Sequence, residues 1–273
     1  MPEMNDAERA VFEQRATVES WDNDYYHPIA ERYYDRAIAA MLRLMDVEPG
    51  ATVLDAGCGP GVHSVRVARA GFRVCAIDVS QTMLAEAQSR VTAAGAAALV
   101  EFSMQDLTRL TFPDASFRYV FSWGVIIHIH EVEKALDQLT RIVEPGGKLA
   151  LYVTNRSAWD HKLERLLRFV LRKPLKGRES LRLGTGTWYD LHEQKLWVWQ
   201  FDIGELVNQL ELRGFKLTHR VVGELSEIQR RVQGPLRAAL LRLNNLWFRL
   251  KLPPGPAVTN LLVFVKHKAV AQC

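Results

Sequence analysis

The chain has 273 residues, 48% of them hydrophobic and 24% charged, with a formal net charge of +4. That suits one α/β domain with additions. No run of 18 apolar residues predicts a membrane-spanning helix, and no basic stretch followed by an apolar one predicts a signal peptide. Three cysteines (Cys58, Cys75 and Cys273) lack paired or metal-ligand spacing, so a reduced, cytoplasmic setting and no metal site are expected. The charge is uneven: residues 1–155 hold 14 Lys/Arg against 21 Asp/Glu, and residues 156–273 hold 21 against 10. The basic part is either a solvated surface or one that faces an anionic substrate or membrane headgroups.

In chain order, residues 6–20 and 28–46 read as helices, the second with Ile29, Tyr33, Ala37, Met41 and Leu44 at helical spacing. An aromatic stretch, residues 21–26, lies between them. Pro49-Gly50 turns the chain into a short apolar strand at 52–54 that ends in Asp55. A glycine-rich turn, a helix at 62–70 and a second strand at 72–77 ending in Asp78 follow. Ser80 caps a helix to residue 94. A third strand, 98–104, ends before Gln105-Asp106, and a fourth, 119–123, follows Pro113-Asp114. The amphipathic helix 131–143 is broken by Pro145-Gly146-Gly147 ahead of a fifth strand, 148–153. Strands alternating with helices predict a doubly wound, mostly parallel sheet.

After Thr154 the rhythm changes. Residues 159–173 read as a basic amphipathic helix, 174–195 as loop, and 196–200 as a short strand. Asp202 with Glu205 is a capping-box pair for a helix at 203–212. A sixth strand spans 215–222, a long helix 235–250, and a seventh strand 259–266. The helix at 235–250 can gather Leu236, Ala239, Leu240, Leu243, Leu246 and Leu250 on one face, flanked by Arg237, Arg242 and Arg249. Two such basic amphipathic helices admit peripheral contact with an anionic membrane, or pack their apolar faces on their own domain.

The string VLDAGCGPG at 53–61 runs a buried strand into a glycine turn and a helix. Glycines let the backbone turn sharply and come close to a ligand, which in such sheets sits at the carboxyl ends of the strands. Asp78 can accept hydrogen bonds from two ribose hydroxyls, and Asp106 can take an adenine amino group. A dinucleotide fingerprint wants a small residue where Val62 stands, and Asp55 before the glycines suits an amino-acid end better than a pyrophosphate.

With AIDVS at 76–80, MQDL at 104–107 and RIVEPGG at 141–147, this set closely resembles the class I S-adenosylmethionine (SAM)-dependent methyltransferases, in particular the small-molecule group that includes the ubiquinone/menaquinone C-methyltransferases. The likeness covers residues 28–155 well and extends weakly through FDIGELVNQLELRGF at 201–215. It implies a seven-stranded Rossmann-like sheet, N-terminal helices and helical insertions covering the active site. The expected division is an N-terminal helical lid at 1–46, a SAM-binding core at 47–155, and an acceptor-site cover with the remaining core strands at 156–273. It implies SAM contacts from Tyr26, Asp55, Gly57, Cys58, Gly59, Gly61, Asp78, Val79, Met83, Gln105, Asp106, Leu107, Ser122 and Trp123. Tyr25 stands beside Tyr26 in the lid.

His128 and His130, after the fourth strand, are the candidate general bases, their ordinary pKa lying near neutrality. Trp188, Tyr189 and His192 fall in the variable segment that shapes the acceptor pocket in such enzymes. The implied activity is methyl transfer from SAM to the O, N or C of a small molecule, hydrophobic or anionic. DNA is not the expected partner, because Ser122-Trp123-Gly124-Val125 stands where base methyltransferases carry Asn/Asp-Pro-Pro-Tyr/Phe. A SAM-binding module without activity and an RNA methyltransferase stay open as alternatives.

Overall fold

The computed structural model describes residues 10–19, 28–172, 177–191 and 194–268. Residues 10–12 and 15–19 are helical. The remaining elements are α1 (Pro28–Leu44), β1 (Thr52–Ala56), α2 (Val62–Arg69), β2 (Arg73–Asp78), α3 (Gln81–Ala93), β3 (Val100–Met104), β4 (Phe117–Trp123), α4 (Val132–Ile142) and β5 (Val143–Thr154). They continue with α5 (Trp159–Val170), β6 (Arg178–Leu181), β7 (Gly184–Leu191), β8 (Gln194–Phe201), α6 (Ile203–Leu212), β9 (Phe215–Val222), α7 (Gly234–Arg249) and β10 (Thr259–Lys266).

Seven strands form one sheet in the order β3-β2-β1-β4-β5-β10-β9. β10 runs antiparallel to both β5 and β9, and the other pairs are parallel. Side chains alternate along each strand, which sorts the core into two layers. Val53, Val74, Ala76, Phe121 and Val263 face α1, α2 and α3. Leu54, Ile77, Val120, Leu149 and Leu262 face α4 and α6. Order reverses between β1 and β4, which opens a crevice at their carboxyl ends.

Several sequence expectations are corrected. Residues 174–195 are not a loop: β6, β7 and β8 form a second, three-stranded antiparallel sheet. Gly184-Thr185-Gly186-Thr187 has turn composition, yet its glycines serve close packing. A Cβ on Gly184 would lie 2.2 Å from the Gln200 carbonyl oxygen, and one on Gly186 would lie 1.7 Å from the Trp197 ring. β5 also begins five residues early, through Pro145-Gly146-Gly147, with a register shift where Phe117 pairs Val143 and Tyr119 pairs Lys148. Asp202 caps α6, accepting from the backbone N–H of Gly204 (3.1 Å) and of Glu205 (3.3 Å). Glu205 turns to Arg182 and Gln209 instead of closing a capping box.

α7 does not roof the crevice. It lies along α1, where Phe248 meets Tyr33 edge-on and Arg36 donates to Asn245. α1 itself contributes Tyr33, Tyr34, Ile38 and Met41 to the core.

Trp197 is fully buried against Trp188, Trp199 and His130, so it cannot retreat from a new methyl group at Gly186. Gly186→Ala is expected to cost about 1–3 kcal/mol of stability, the range for overpacking a filled core. Urea denaturation measures it, and an unchanged midpoint would show that the ring can move.

Candidate active site

The crevice between β1 and β4 opens into a cavity of about 400 Å³ that continues under the second sheet. Its first wall is the turn after β1. The N–H groups of Gly57 and Cys58 both donate to the Ile77 carbonyl, at 2.9 and 2.8 Å, which ties the turn to the end of β2. Asp78 then accepts from Gly59 N–H at 2.8 Å through one oxygen and from Ser80 N–H at 3.0 Å through the other. Burial raises its carboxyl pKa, while the backbone hydrogen bonds of Ser80, Gly59 and Val79 oppose the shift. A carboxylate has about four lone-pair sites, so each oxygen keeps capacity for a ligand hydroxyl.

Glycine at 57 and 61 answers to the protein itself. A Cβ at Gly57 would lie 2.4 Å from Val125, and one at Gly61 would lie 2.8 Å from Ala87 of α3. Gly61 does not line the cavity; Gly57 and Gly59 do.

Of the residues singled out for a nucleoside ligand, Gly57, Cys58, Gly59, Asp78, Val79, Met83, Gln105, Asp106, Leu107 and Trp123 line the cavity together. Asp106 accepts from the N–H and hydroxyl of Thr108 through one oxygen. Asp55 and Ser122 are absent from the wall. Asp55 is buried beneath the turn and accepts from Ser64 Oγ at 2.6 Å, and burial lifts its pKa to about 7. Ser122 Oγ donates to the Ala56 carbonyl. Tyr25 and Tyr26 lie outside the described residues.

The two histidines part company. His128 lines the cavity, and its Nδ1 lies 3.0 Å from the Trp197 carbonyl. A carbonyl only accepts, so Nδ1 carries the proton and Nε2 holds the lone pair. Burial pushes the pKa of His128 down to about 4, against the opposing hydrogen bond to Trp197. His130 is off the wall; its ring lies among Trp188 and Trp197, with Nε2 3.8 Å from Glu179. Tyr189 lines the cavity and Trp188 does not. His192 lies outside the described residues.

The cavity also collects residues that the sequence did not single out. Phe12 reaches it from the N-terminal segment, where Ser80 Oγ donates to the Phe12 carbonyl at 2.8 Å. Glu13 accepts from the N–H groups of Gln81 and Thr82, the open N-terminus of α3. Deeper in, Trp123 stacks on Tyr152 at 4.0 Å, and His63 lies 5.0 Å from the Trp123 ring. Burial keeps His63 well below the usual histidine range and Tyr152 well above the usual tyrosine range. Glu227, Arg230 and Arg231 come from the turn after β9, and His161 and Glu164 from α5. The turn after β9 was legible in principle, since loops at the carboxyl ends of strands line such sites. The residues from α5, β7 and β8 had no comparable signal.

The chamber thus has a polar, glycine-floored end fitted to a nucleoside and an aromatic end beyond it. The donor set suits SAM: a half-buried carboxylate with spare lone pairs at the end of β2, a buried one after β3, and apolar Met83 and Leu107 between them. Among the described residues, no group of three His, Cys, Asp or Glu side chains is arranged to hold a metal ion.

Comparison with known proteins agrees. Residues 53–147 match the family model described as "Methyltransferase domain". The methyltransferase GfsG of Streptomyces halstedii is 31% identical over 149 residues, 54% of this chain and 53% of that protein. Phosphoethanolamine N-methyltransferase 2 of Caenorhabditis elegans is 37% identical over 119 residues, 43% of this chain and 27% of that one. The matches span about half of the first relative and about a quarter of the second. Magnesium protoporphyrin IX methyltransferase from Synechocystis, solved with bound SAH, superposes with a TM-score of 0.62 at 17% identity, over 94% of this chain and 97% of that one. The motifs of the chain and its sheet order fall within and around the matched residues 53–147 and agree with that likeness.

Asp55 generates a pH prediction. A buried carboxyl with its pKa raised from about 4 to about 7 stabilises the fold while protonated, and that contribution is lost as pH rises through about 7. Asp55→Asn, neutral throughout, should therefore gain thermal stability relative to the unmodified protein between pH 5 and pH 8. Parallel melting curves that stay a constant distance apart over that range would show that Asp55 is ionised throughout.

Proposed function

We propose that the protein transfers a methyl group from SAM to a small-molecule acceptor held in the aromatic end of the cavity. One observation carries this: a single cavity joins the Asp78–Gly59 end to a second chamber walled by Trp123, Tyr152, Tyr189 and His128. The likeness to a phosphoethanolamine N-methyltransferase supports a small acceptor. In this proposal residues 1–46 close the donor side, residues 47–155 hold the donor, and residues 156–273 cover the acceptor through α5, the second sheet and the turn after β9, with α7 set aside on α1. A cytoplasmic, membrane-peripheral setting belongs to the same proposal, supported by the free thiols of Cys58 and Cys75 and by the basic C-terminal part.

SAM, when bound, supplies an electrophilic methyl on a sulfonium. The chain's own residues supply position and exclusion of water. Asp78 and Asp106 fix the nucleoside, and the Gly57–Gly59 backbone floors the site. Phe12 and the rings of Trp123 and Tyr34 keep water from the gap. His128 is the base of this proposal. It is neutral at physiological pH, with its proton on Nδ1 and a lone pair on Nε2. A weak base is enough for a hydroxyl acceptor, because the proton becomes strongly acidic as the new bond forms.

Release of label from methyl-labelled SAM into an extract of small metabolites tests the activity. Label recovered only in RNA would favour an RNA methyltransferase, and SAM binding with no transfer a non-catalytic module. Asp78→Ala should weaken binding of S-adenosylhomocysteine by about 1.5–3 kcal/mol in calorimetry, the worth of hydrogen bonds to a charged group. An unchanged affinity in the folded variant would remove Asp78 from the site. His128→Gln should lower kcat about a hundredfold with that affinity intact, and a loss below about tenfold would leave His128 a structural role only.

A further inference from the structure

Eleven of the fifteen large apolar side chains exposed among the described residues lie in two stretches, 159–171 and 236–250. α5 buries none of its residues. Trp159, Leu163, Leu166 and Val170 recur at helical spacing and face solvent, with exposures of 67, 48, 58 and 66%. The opposite side of α5, carrying His161 and Glu164, forms cavity wall. The helix is therefore inverted, polar towards the protein and apolar towards water. α7 also carries an outward apolar face, though it is not inverted: Leu241 and Asn244 are buried, whereas Leu236, Leu243, Leu246 and the capping Leu250 are exposed.

Both helices are tied to one turn. Asp160 of α5 accepts from Ser226 Oγ and Glu227 N–H, at 2.9 and 2.7 Å. Asn244 of α7 accepts from Ser226 N–H and donates to the Ser226 carbonyl. Exposed cations accompany both apolar faces: Lys162 and Arg172 at α5, and Arg242, Arg249 and Lys251 at α7. Residues 156–172 hold five Lys/Arg against two Asp/Glu, and residues 235–251 hold four with no acid. Glu164 is engaged by Arg168 at 2.9 Å.

We infer that α5 and α7 dock this protein onto an anionic lipid surface, with the outward apolar face of α5 in the headgroup layer and its cationic flanks on lipid phosphates. Charge selects this occupant. Isologous pairing with a second copy would bring identical cationic borders together, whereas an anionic bilayer satisfies both the apolar face and the cations. Trp159 suits the water–lipid boundary, being apolar in body with one polar N–H. Docking in this way sets the membrane against the outer side of a helix whose inner side is cavity wall. Resting on the proposed methyl transfer, this implies an acceptor with a lipid-like apolar body that enters from the bilayer.

The test is cosedimentation of the full chain with vesicles of phosphatidylglycerol and phosphatidylcholine, with S-adenosylhomocysteine binding measured in parallel. Binding should be strong at low salt, fade as salt screens the phosphates, and be weak on phosphatidylcholine alone. Leu163→Gln, Leu166→Gln and Val170→Gln together should lower the bound fraction about tenfold, leaving the circular dichroism spectrum and the calorimetric affinity unchanged. Lys162→Gln with Arg172→Gln should flatten the salt dependence. Two results would overturn the docking. One is no sedimentation with anionic vesicles at low salt by protein that still binds S-adenosylhomocysteine. The other is a dimer in light scattering that the triple glutamine variant dissolves, which would make the face a contact between copies. Vesicle binding without affinity for S-adenosylhomocysteine would instead keep the docking and remove the methyl-transfer proposal.

Discussion

Two backbone N–H groups meeting one carbonyl hold the working part of this molecule together. Gly57 and Cys58 both donate to the Ile77 oxygen, so the turn after β1 cannot move independently of the end of β2. That coupling delivers Asp78 to Gly59 N–H and sets the carboxylate on the cavity wall. It also requires the turn to press against its neighbours, with no room for a Cβ at Gly57 against Val125 or at Gly61 against Ala87. The glycines are therefore demanded first by packing within the protein. The smooth floor they leave for a ligand follows from that packing.

The polar chemistry near this turn is arranged by burial as much as by pairing. Asp55 sits under the turn with Ser64 as its hydrogen-bond donor, and its raised pKa reflects the loss of water. His128 and His63 are pushed the other way by the same cause, which keeps both imidazoles neutral. A site of neutral bases and hydrogen-bonded carboxylates suits a cationic donor, since among the described residues no Lys or Arg lines the nucleoside end of the cavity, Arg109 lying off that wall 3.9 Å from Asp106. The arginines stand at the far end, on the turn after β9, where Arg230 pairs Glu224 at 3.2 Å and Glu227 at 3.5 Å.

Enclosure depends on segments distant in sequence. Phe12 is held by Ser80 and Glu13 by the first residues of α3, so the N-terminal segment is fastened to the helix that follows Asp78. On the other side the second sheet leans on the core through buried Trp197, Trp199 and Phe201. The Trp199 indole donates to the Ile129 carbonyl at 2.8 Å, and His128 meets the Trp197 carbonyl. The cover and the candidate base are thus positioned by the same strand.

The sequence by itself determined the sheet, its doubly wound order and the glycine turn with Asp78 and Asp106. These rest on strand and helix periodicity and on turn chemistry, which are local along the chain. Most of the nucleoside end of the cavity was legible for the same reason. Only the tertiary structure decided that Gly184 to Thr187 is a strand, because its pattern makes sense against Gln200 and Trp197 alone. It separated His128 from His130, which look alike two residues apart but point into the cavity and away from it. It also decided that Leu163 and Leu166 of α5 and Leu236, Leu243 and Leu246 of α7 face outward while Leu241 is buried. An amphipathic helix specifies that one side is apolar. Which side meets the protein is fixed by contacts such as Asp160 with Ser226, sixty-six residues apart, and no local pattern encodes those.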